Sequence, residues 1–314
     1  MPHETRIAYF EHAQDILEAT ISLIQSGQRC ALVASLSIEG GAAREVGSLA
    51  VIAQTGTMTG YLSNGCIDRD IMQHGLNAIE TRQVKHIRYG AGSPYMDLKL
   101  PCGGALELVI DPEPNLNMLC AAVEALHGRD LATLSFAPEA GLVPGGQGGF
   151  QFQYAPKPAL VVAGRGAILR TTASLAASMD FELHVASPDE DDTTMLSGLR
   201  PKSTHRMTTP NAPLKLPIDA HTAVLLLFHD HEWEHTLLIS AASAQPFFIG
   251  ALGSRKTQEI RLQRLLEAGL DLKLCSTIHG PIGLVPSLRN ASLIAVSALA
   301  EITSKLPLAQ VRLL

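Results

Sequence analysis

The chain has 314 residues, 46% hydrophobic and 17% charged, which allows a sizeable core and excludes global disorder. Lys and Arg number 24 against 30 Asp and Glu, a net charge of -6, which argues against a nucleic-acid binder, since such proteins carry a basic stripe. The length fits two domains, and with only 4% aromatics their cores must be built from Leu, Ile, Val, Ala and Met.

In chain order, Ile16, Leu17, Thr20, Ile21, Leu23 and Ile24 recur at helical spacing and predict a helix over 12–26, stopped at Gly27. Strands follow at Cys30 to Ile38 and Leu49 to Ala53, then a turn over Gly56 to Gly60. A helix is expected from Cys66 to Ile79, capped by Ser63 or Asn64. Strands at Val84 to Arg88 and Ala105 to Ile110, a helix near 116–126 and a strand at Leu131 to Phe136 complete a first α/β domain, 1–136. Residues 137–158 are rich in Gly and Pro and read as a linker. The remainder, 159–314, alternates apolar strands (Ala159–Ala163, Phe181–Ala186, Ala223–Phe228, Phe247–Ile249) with helices at 167–178, 232–243, 255–267 and 291–303. That is the pattern of a parallel sheet covered on both faces.

The five cysteines, Cys30, Cys66, Cys102, Cys120 and Cys275, are odd in number and contain no C-x-x-C, as expected of free thiols in a reducing compartment. The longest apolar run, Ala223 to Phe228, is far short of the roughly 20 residues that span a bilayer, and no signal peptide is read at the start. The expectation is a cytoplasmic protein without a membrane segment. Cys30 falls in a strand and Cys120 in a helix, so both read as structural. Cys66 stands at a predicted helix start, where the dipole favours an anion, and Cys102 lies in a Pro-Cys-Gly-Gly turn. Two such thiols can bind a soft metal, handle sulfur or line an anionic pocket, or else simply be small buried hydrophobes.

Three strand-to-helix junctions in the second half could face a ligand, the first two of them an anion. Gly164-Arg165-Gly166 sits where a dinucleotide turn would, although Leu169 fills the third glycine position and Ser187 the usual place of the acidic residue. Gly253-Ser254-Arg255 offers a close backbone approach, an N-cap and a cation at a helix start. His229, Asp230, His231 and His235 invite a metal reading, but no H-E-x-x-H motif is present and a polar strand-to-helix junction explains them equally well.

At these residues the sequence resembles the xanthine dehydrogenase accessory family (XdhC/CoxI-like), which includes the carbon monoxide dehydrogenase accessory proteins. The likeness is carried by Arg44 with Gly47, the segment Gly60 to Asp68 around Cys66, Cys102-Gly103-Gly104 with Glu107-Leu108, and His229 to Glu232. It continues through Phe248 to Lys256, His279 to Leu284 and Ile294 to Ile302. The resemblance implies a Rossmann-like second domain and a non-catalytic chaperone. Such a chaperone binds molybdenum cofactor (molybdopterin), supports its sulfuration with a cysteine desulfurase, and inserts it into a xanthine dehydrogenase-like molybdoenzyme. A homodimer is compatible with that role. The implied cofactor contacts are Cys102 and Cys66 at the molybdenum or its sulfur, Arg44 for charge, and Gly65, Gly103 and Gly104 as an anion nest. Gly164, Gly166, Gly253, Ser254 and Arg255 are further candidates in the second domain.

The sequence departs from the family at several points. Ala167 stands where the glycine turn usually has His, Ser187-Pro188-Asp189 replaces Asp-Pro-Arg, Asn64 replaces a glycine, and His235 replaces an Asp. These changes bear on any nucleotide-dependent role. The competing functions are an NAD(P)-dependent oxidoreductase, resting on Gly164 and Gly166, and a structural adaptor whose glycine turns are only architectural.

Overall fold

Alternation along Cys30 to Glu39 sends Leu32, Ala34 and Leu36 to one side of a strand and Ala31 and Val33 to the other, and both sets are buried. This strand is therefore central, with a layer on each face. The structure is a computed structural model that describes residues 6–41, 43–90, 104–146, 149–210, 216–307 and 311–313. It divides into two units, Met1–Pro156 with Ala309–Leu314, and Lys157–Leu308.

The first unit contains β1 (Arg6–Ala8), α1 (Ala13–Gln25), β2 (Cys30–Glu39), β3 (Leu49–Ala53), β4 (Thr57–Thr59) and α2 (Asp68–Thr81). It continues with β5 (Lys85–Gly90), β6 (Ala105–Asp111), α3 (Leu116–His127), β7 (Ala132–Ala137), β8 (Gly141–Val143) and β9 (Phe150–Tyr154). Six strands form one sheet in the order β1-β4-β3-β2-β6-β5, where only β1 and β4 run parallel. One face packs on α2 through Ile71 and Met72. The other packs on α1, α3 and a second sheet through Ile16, Leu17, Leu119, Phe136 and Phe152. That second, antiparallel sheet joins β7, β8 and β9 to the C-terminal strand Val311–Leu313.

Two features differ from the sequence expectation. The glycine-bounded segment 56–60 read as a turn carries β4, because Thr57 to Thr59 find partners on both sides. The stretch 137–158 read as a linker contains β8 and β9, which pair with β7, and the last strand returns to the first unit.

The second unit runs β10 (Ala159–Gly164), α4 (Gly166–Ser178), β11 (Glu182–Ser187), α5 (Glu190–Ser197), β12 (Ser203–Arg206) and β13 (Thr222–Leu227). A 3-10 turn (His231–Trp233), α6 (His235–Ala244), β14 (Phe248–Ala251), α7 (Arg255–Glu267), α8 (Leu272–Cys275), β15 (Ile278–His279) and α9 (Ala291–Lys305) follow. Its six strands are all parallel in the order β12-β11-β10-β13-β14-β15. That order reverses between β10 and β13, the arrangement of a Rossmann-like sheet. The fold expected from the sequence, a mixed α/β domain followed by a Rossmann-like one, is the fold observed. The sequence reading passed over α5, β12, α8 and β15, which are short or carry no long apolar run.

Candidate functional site

Register alone gathers one edge of the first sheet. Because β1 and β4 are parallel, their C-terminal ends emerge side by side, Ala8 opposite Thr59. The start of β3 lies beside the end of β4, the start of β6 beside the end of β2, and Gly90 at the end of β5 pairs with Ala105. The loops holding Glu11, Arg44, Tyr61 to Cys66, and Gly104 therefore leave the sheet at the same edge.

The first cysteine turn is built around a carboxylate. Asp68 is fully buried, and it accepts hydrogen bonds from the backbone N–H groups of Leu62 (2.8 Å), Ser63 (3.1 Å) and Gly65 (2.6 Å). The Ile67 N–H donates to Ser63 Oγ at 2.9 Å, so Ile67 stays out of the helix and α2 begins at Asp68 rather than at Cys66. Asn64 and Gly65 both take positive φ, 54° and 95°, which turns the chain around the carboxylate. The Cys66 thiol is left exposed on the outside of this turn. The Gly65 N–H points inward to Asp68, so it is not a donor for an external anion.

Arg44 lies over the ring of Tyr61, 4.8 Å from its centroid, and donates from Nη2 to the backbone oxygen of Glu11. The Glu11 carboxylate is 3.7 Å from Arg44 and accepts from the Tyr61 hydroxyl. Burial, then the Glu11 contact, raise the Tyr61 phenol above its ordinary range, against the pull of Arg44, so the phenol keeps its proton and donates. Arg44 Nε is shielded from solvent and has no hydrogen-bond partner. A guanidinium N–H buried without an acceptor is costly, and it is the kind of donor an anionic ligand satisfies.

The Arg44 loop is fixed from below. Ser35 Oγ donates to the Glu45 carbonyl, the Gly47 N–H donates to the Ser35 carbonyl, and the buried Tyr154 hydroxyl donates to the Gly47 carbonyl at 2.9 Å. Tyr154→Phe strands that carbonyl. The expected cost is about 1–3 kcal/mol, read as a lower denaturation midpoint, with the core otherwise unchanged.

The second cysteine turn is described only at its exit, since Cys102 and Gly103 lie outside the described residues. Gly104 is wedged against the backbone of Glu39, Gly41 and Gly90, where a Cβ would collide with carbonyl oxygens. The segment containing Cys102 thus has both ends, Gly90 and Gly104, at the edge already described. Among the other cysteines, burial and then Asp111 push the Cys30 thiol up to about 11, and burial raises Cys275, so both remain neutral packing groups. Cys120 is half-buried in α3.

In the second unit the glycine turn is occupied from within. The Gly166 N–H donates to Asp192 Oδ2 at 2.8 Å, and Arg170 Nε donates to Asp192 Oδ1, while Asp192 is fully buried. A carboxylate of α5 sits at the N-terminus of α4, where a dinucleotide phosphate would be received. The NAD(P) reading loses its physical basis there. Across the switch point Arg165 stacks over Trp233, 5.0 Å from the ring centroid. Gly164 is held by packing: a Cβ would lie 2.7 Å from both Cβ and O of Leu227. Gly164→Ala is expected to destabilise the second unit by about 1–3 kcal/mol, measured by thermal unfolding.

Ser254 caps α7, its Oγ accepting from the Thr257 N–H at 3.1 Å, with Arg255 exposed in the first turn. Gly253 there abuts Thr257. Beneath it a buried network joins Arg261 to Glu234 (2.9 Å), to the Leu252 carbonyl and to Gln258. His231 Nδ1 lies 3.1 Å from Glu234 Oε2. Burial raises the Glu234 carboxyl, against Arg261 and His231, which lower it. The network floors a cavity of about 730 Å³ between the 3-10 turn, α6 and α7. His229 and Asp230 lead into it from β13. Among the described residues no three His, Cys, Asp or Glu side chains come together to hold a metal ion.

The sequence reading singled out Cys66, Gly65, Arg44 and Gly104, and the first unit brings their loops to one edge. It missed the residues that hold them: Asp68 as the hub, Glu11, Tyr61 and Tyr154. The only available signal was the Ser-Asn-Gly-Cys-Ile-Asp spelling, in which Asp at the first helical position can fold back on preceding N–H groups.

Comparison with known proteins follows the same division. Residues 23–90 match the family described as the XdhC and CoxI family, and residues 160–302 match the XdhC Rossmann domain. The chain is 32% identical over 298 residues to the molybdenum cofactor insertion chaperone PaoD of Escherichia coli (strain K12), covering 92% of this chain and 87% of that protein. It is 24% identical over 261 residues to the uncharacterized protein YqeB of the same organism, covering 80% of this chain but 39% of that longer protein. A crystal structure from Bacillus halodurans, described as a xanthine dehydrogenase, superposes with a TM-score of 0.75 over 92% of this chain and 95% of that one, at 17% identity, which establishes a shared fold. The chain belongs to the XdhC and CoxI family.

Proposed function

We propose that this protein is a carrier that binds molybdenum cofactor at the gathered edge of its first sheet and inserts it into a xanthine dehydrogenase-like molybdoenzyme, without turnover of its own. The observation that carries the reading is the convergence on one sheet edge of the loops that hold an exposed thiol, Cys66, and a half-buried guanidinium with a shielded, unused Nε–H, Arg44. The E. coli relative whose name assigns it insertion of this cofactor shares nearly the whole chain. The cargo is an anionic pterin with a phosphate and a molybdenum–dithiolene centre. Soft thiolates at Cys66 and Cys102 suit the metal or its sulfur ligand, and Arg44 suits a charged or carbonyl oxygen. Gly103 and Gly104 would let backbone approach the cargo closely.

Within this reading the chain's tasks are to bind, to orient and to exclude water. Sulfuration with a cysteine desulfurase, and assembly as a homodimer, belong to the same proposal and rest on the family resemblance. Among the described residues no helix is long and apolar enough to cross a membrane. In the second unit Gly253, Ser254 and Arg255 would serve an anionic group of a partner or ligand of that unit, whereas Gly164 and Gly166 are taken up by packing on Leu227 and by Asp192.

The test is transfer. Protein loaded with molybdenum cofactor under anaerobic conditions is mixed with an apo-molybdoenzyme of the xanthine dehydrogenase type. Activation that exceeds the same amount of free cofactor supports the carrier. Activation equal to free cofactor, from a protein shown to be loaded, overturns it.

A further inference from the structure

The Glu11–Arg44–Tyr61 cluster is costly as a purely structural device. The Glu11 side chain is 65% exposed, and an exposed ion pair contributes only about 0–1 kcal/mol. Arg44 nevertheless lies over the Tyr61 ring with Nε buried and unpartnered, which a stabilising role does not explain. Exposed aromatics occur in the same loop as Glu11 although the chain is poor in them. Tyr9 is 59% exposed and meets Tyr61 edge-on at 5.3 Å, and Phe10 is 42% exposed. The parallel β1–β4 pair is what brings these two segments together, with the Gly60 N–H donating to the Ala8 carbonyl at 2.8 Å.

A carboxylate beside a guanidinium, flanked by aromatic rings, is complementary to one planar edge: two adjacent N–H donors followed by a carbonyl acceptor. The carboxylate accepts the two donors, Arg44 donates to the carbonyl, and the rings cover the plane. We propose that Glu11, Arg44, Tyr61 and Tyr9 form a recognition site for the 2-amino-4-oxopyrimidine edge of a pterin, an edge that guanine also presents. The inference rests on the carrier reading for its cargo and assigns the pterin end of that cargo to these residues. On binding, the ligand's N–H groups replace the Tyr61 hydroxyl on Glu11, and the Arg44 guanidinium donates to the ligand's carbonyl oxygen.

The test is a fluorescence titration of the full chain with hydroxymethylpterin, with guanosine monophosphate and adenosine monophosphate as competitors. It is run on wild type, Glu11→Gln and Tyr61→Phe, with molybdenum cofactor binding measured in parallel. Glu11→Gln replaces one acceptor oxygen by a donor and is expected to weaken pterin binding about tenfold or more. Tyr61→Phe keeps the ring, removes the competing hydroxyl, and is expected to bind at least as tightly as wild type. Competition by guanosine but not adenosine monophosphate supports the edge assignment, and tighter binding of guanosine monophosphate than of pterin would name a guanine nucleotide as the source. Equal competition by adenosine monophosphate overturns the assignment. If molybdenum cofactor binds wild type and Glu11→Gln alike, the carrier reading stands and this site falls. If hydroxymethylpterin binds in a Glu11-dependent way while the cofactor does not bind, this site stands and the carrier reading falls.

Discussion

Asp68→Ala is expected to lower the stability of the first unit by about 3 kcal/mol or more, because hydrogen bonds to a charged acceptor are worth roughly 1.5–3 kcal/mol each and all those to this side chain are lost together. Leu62, Ser63 and Gly65 then leave their N–H groups without an acceptor in a turn held at positive φ. The thermal midpoint should fall by roughly 6–12 °C, at about 2–4 °C per kcal/mol for a unit of this size. Amide exchange should accelerate at Leu62 to Gly65. Cys66→Ala is the contrast: the thiol is exposed and unbonded to the hub, so its removal should leave the midpoint within about 0.5 kcal/mol of wild type. An Asp68→Ala protein as stable as wild type would mean that the turn is held by something other than its carboxylate.

Arg261→Met should be the most damaging single change in the second unit, at about 3–5 kcal/mol, because it leaves a buried carboxylate without its counter-charge. Glu234 and Arg261 are 1% and 4% exposed at their side chains, and the same guanidinium also holds the Leu252 carbonyl and Gln258. The remaining partner of Glu234 is His231, which is too exposed to replace it. The double variant Arg261→Met with Glu234→Leu should recover much of the loss, since an apolar pair of similar volume removes the uncompensated charge. Chemical denaturation of both single variants and the double gives the coupling directly. A single-variant cost below about 1 kcal/mol would show that water screens the pair.

What was legible in the sequence follows the length scale of the interaction. The apolar runs at Leu49 to Ala53 and Ala159 to Ala163 and the heptad-like spacing of α1 are local signals, and they gave strands and helices to within a few residues. The parallel sheet of the second unit followed from the βαβ alternation, but not its strand order or its edge strands β12 and β15. By contrast, β1 and β4 are three residues each and exist because each completes the other's hydrogen bonding, which no local pattern encodes. The glycines at 164 and 166 leave open a dinucleotide turn, another phosphate site or a structural turn, whereas the carboxylate that fills the turn comes from Asp192, 26 residues after Gly166, in a run of acids that look uniformly solvated. At the candidate site the motif spelled out Cys66 and Arg44. The pairing of Arg44 with Glu11 and Tyr61 depends on two loops meeting at a sheet edge, 33 residues apart in one case. The chemistry-bearing residues were readable, and the groups that position them were not.

In the proposed function the first unit carries molybdenum cofactor through its two cysteine turns. The most direct measurement is molybdenum and pterin per chain after anaerobic titration and gel filtration, comparing wild type with Cys66→Ala and Cys102→Ala. Wild type is predicted to retain the cofactor, and both variants to lose it while remaining folded. Retention by both variants at the wild-type level, or no retention by folded wild type, would contradict the account.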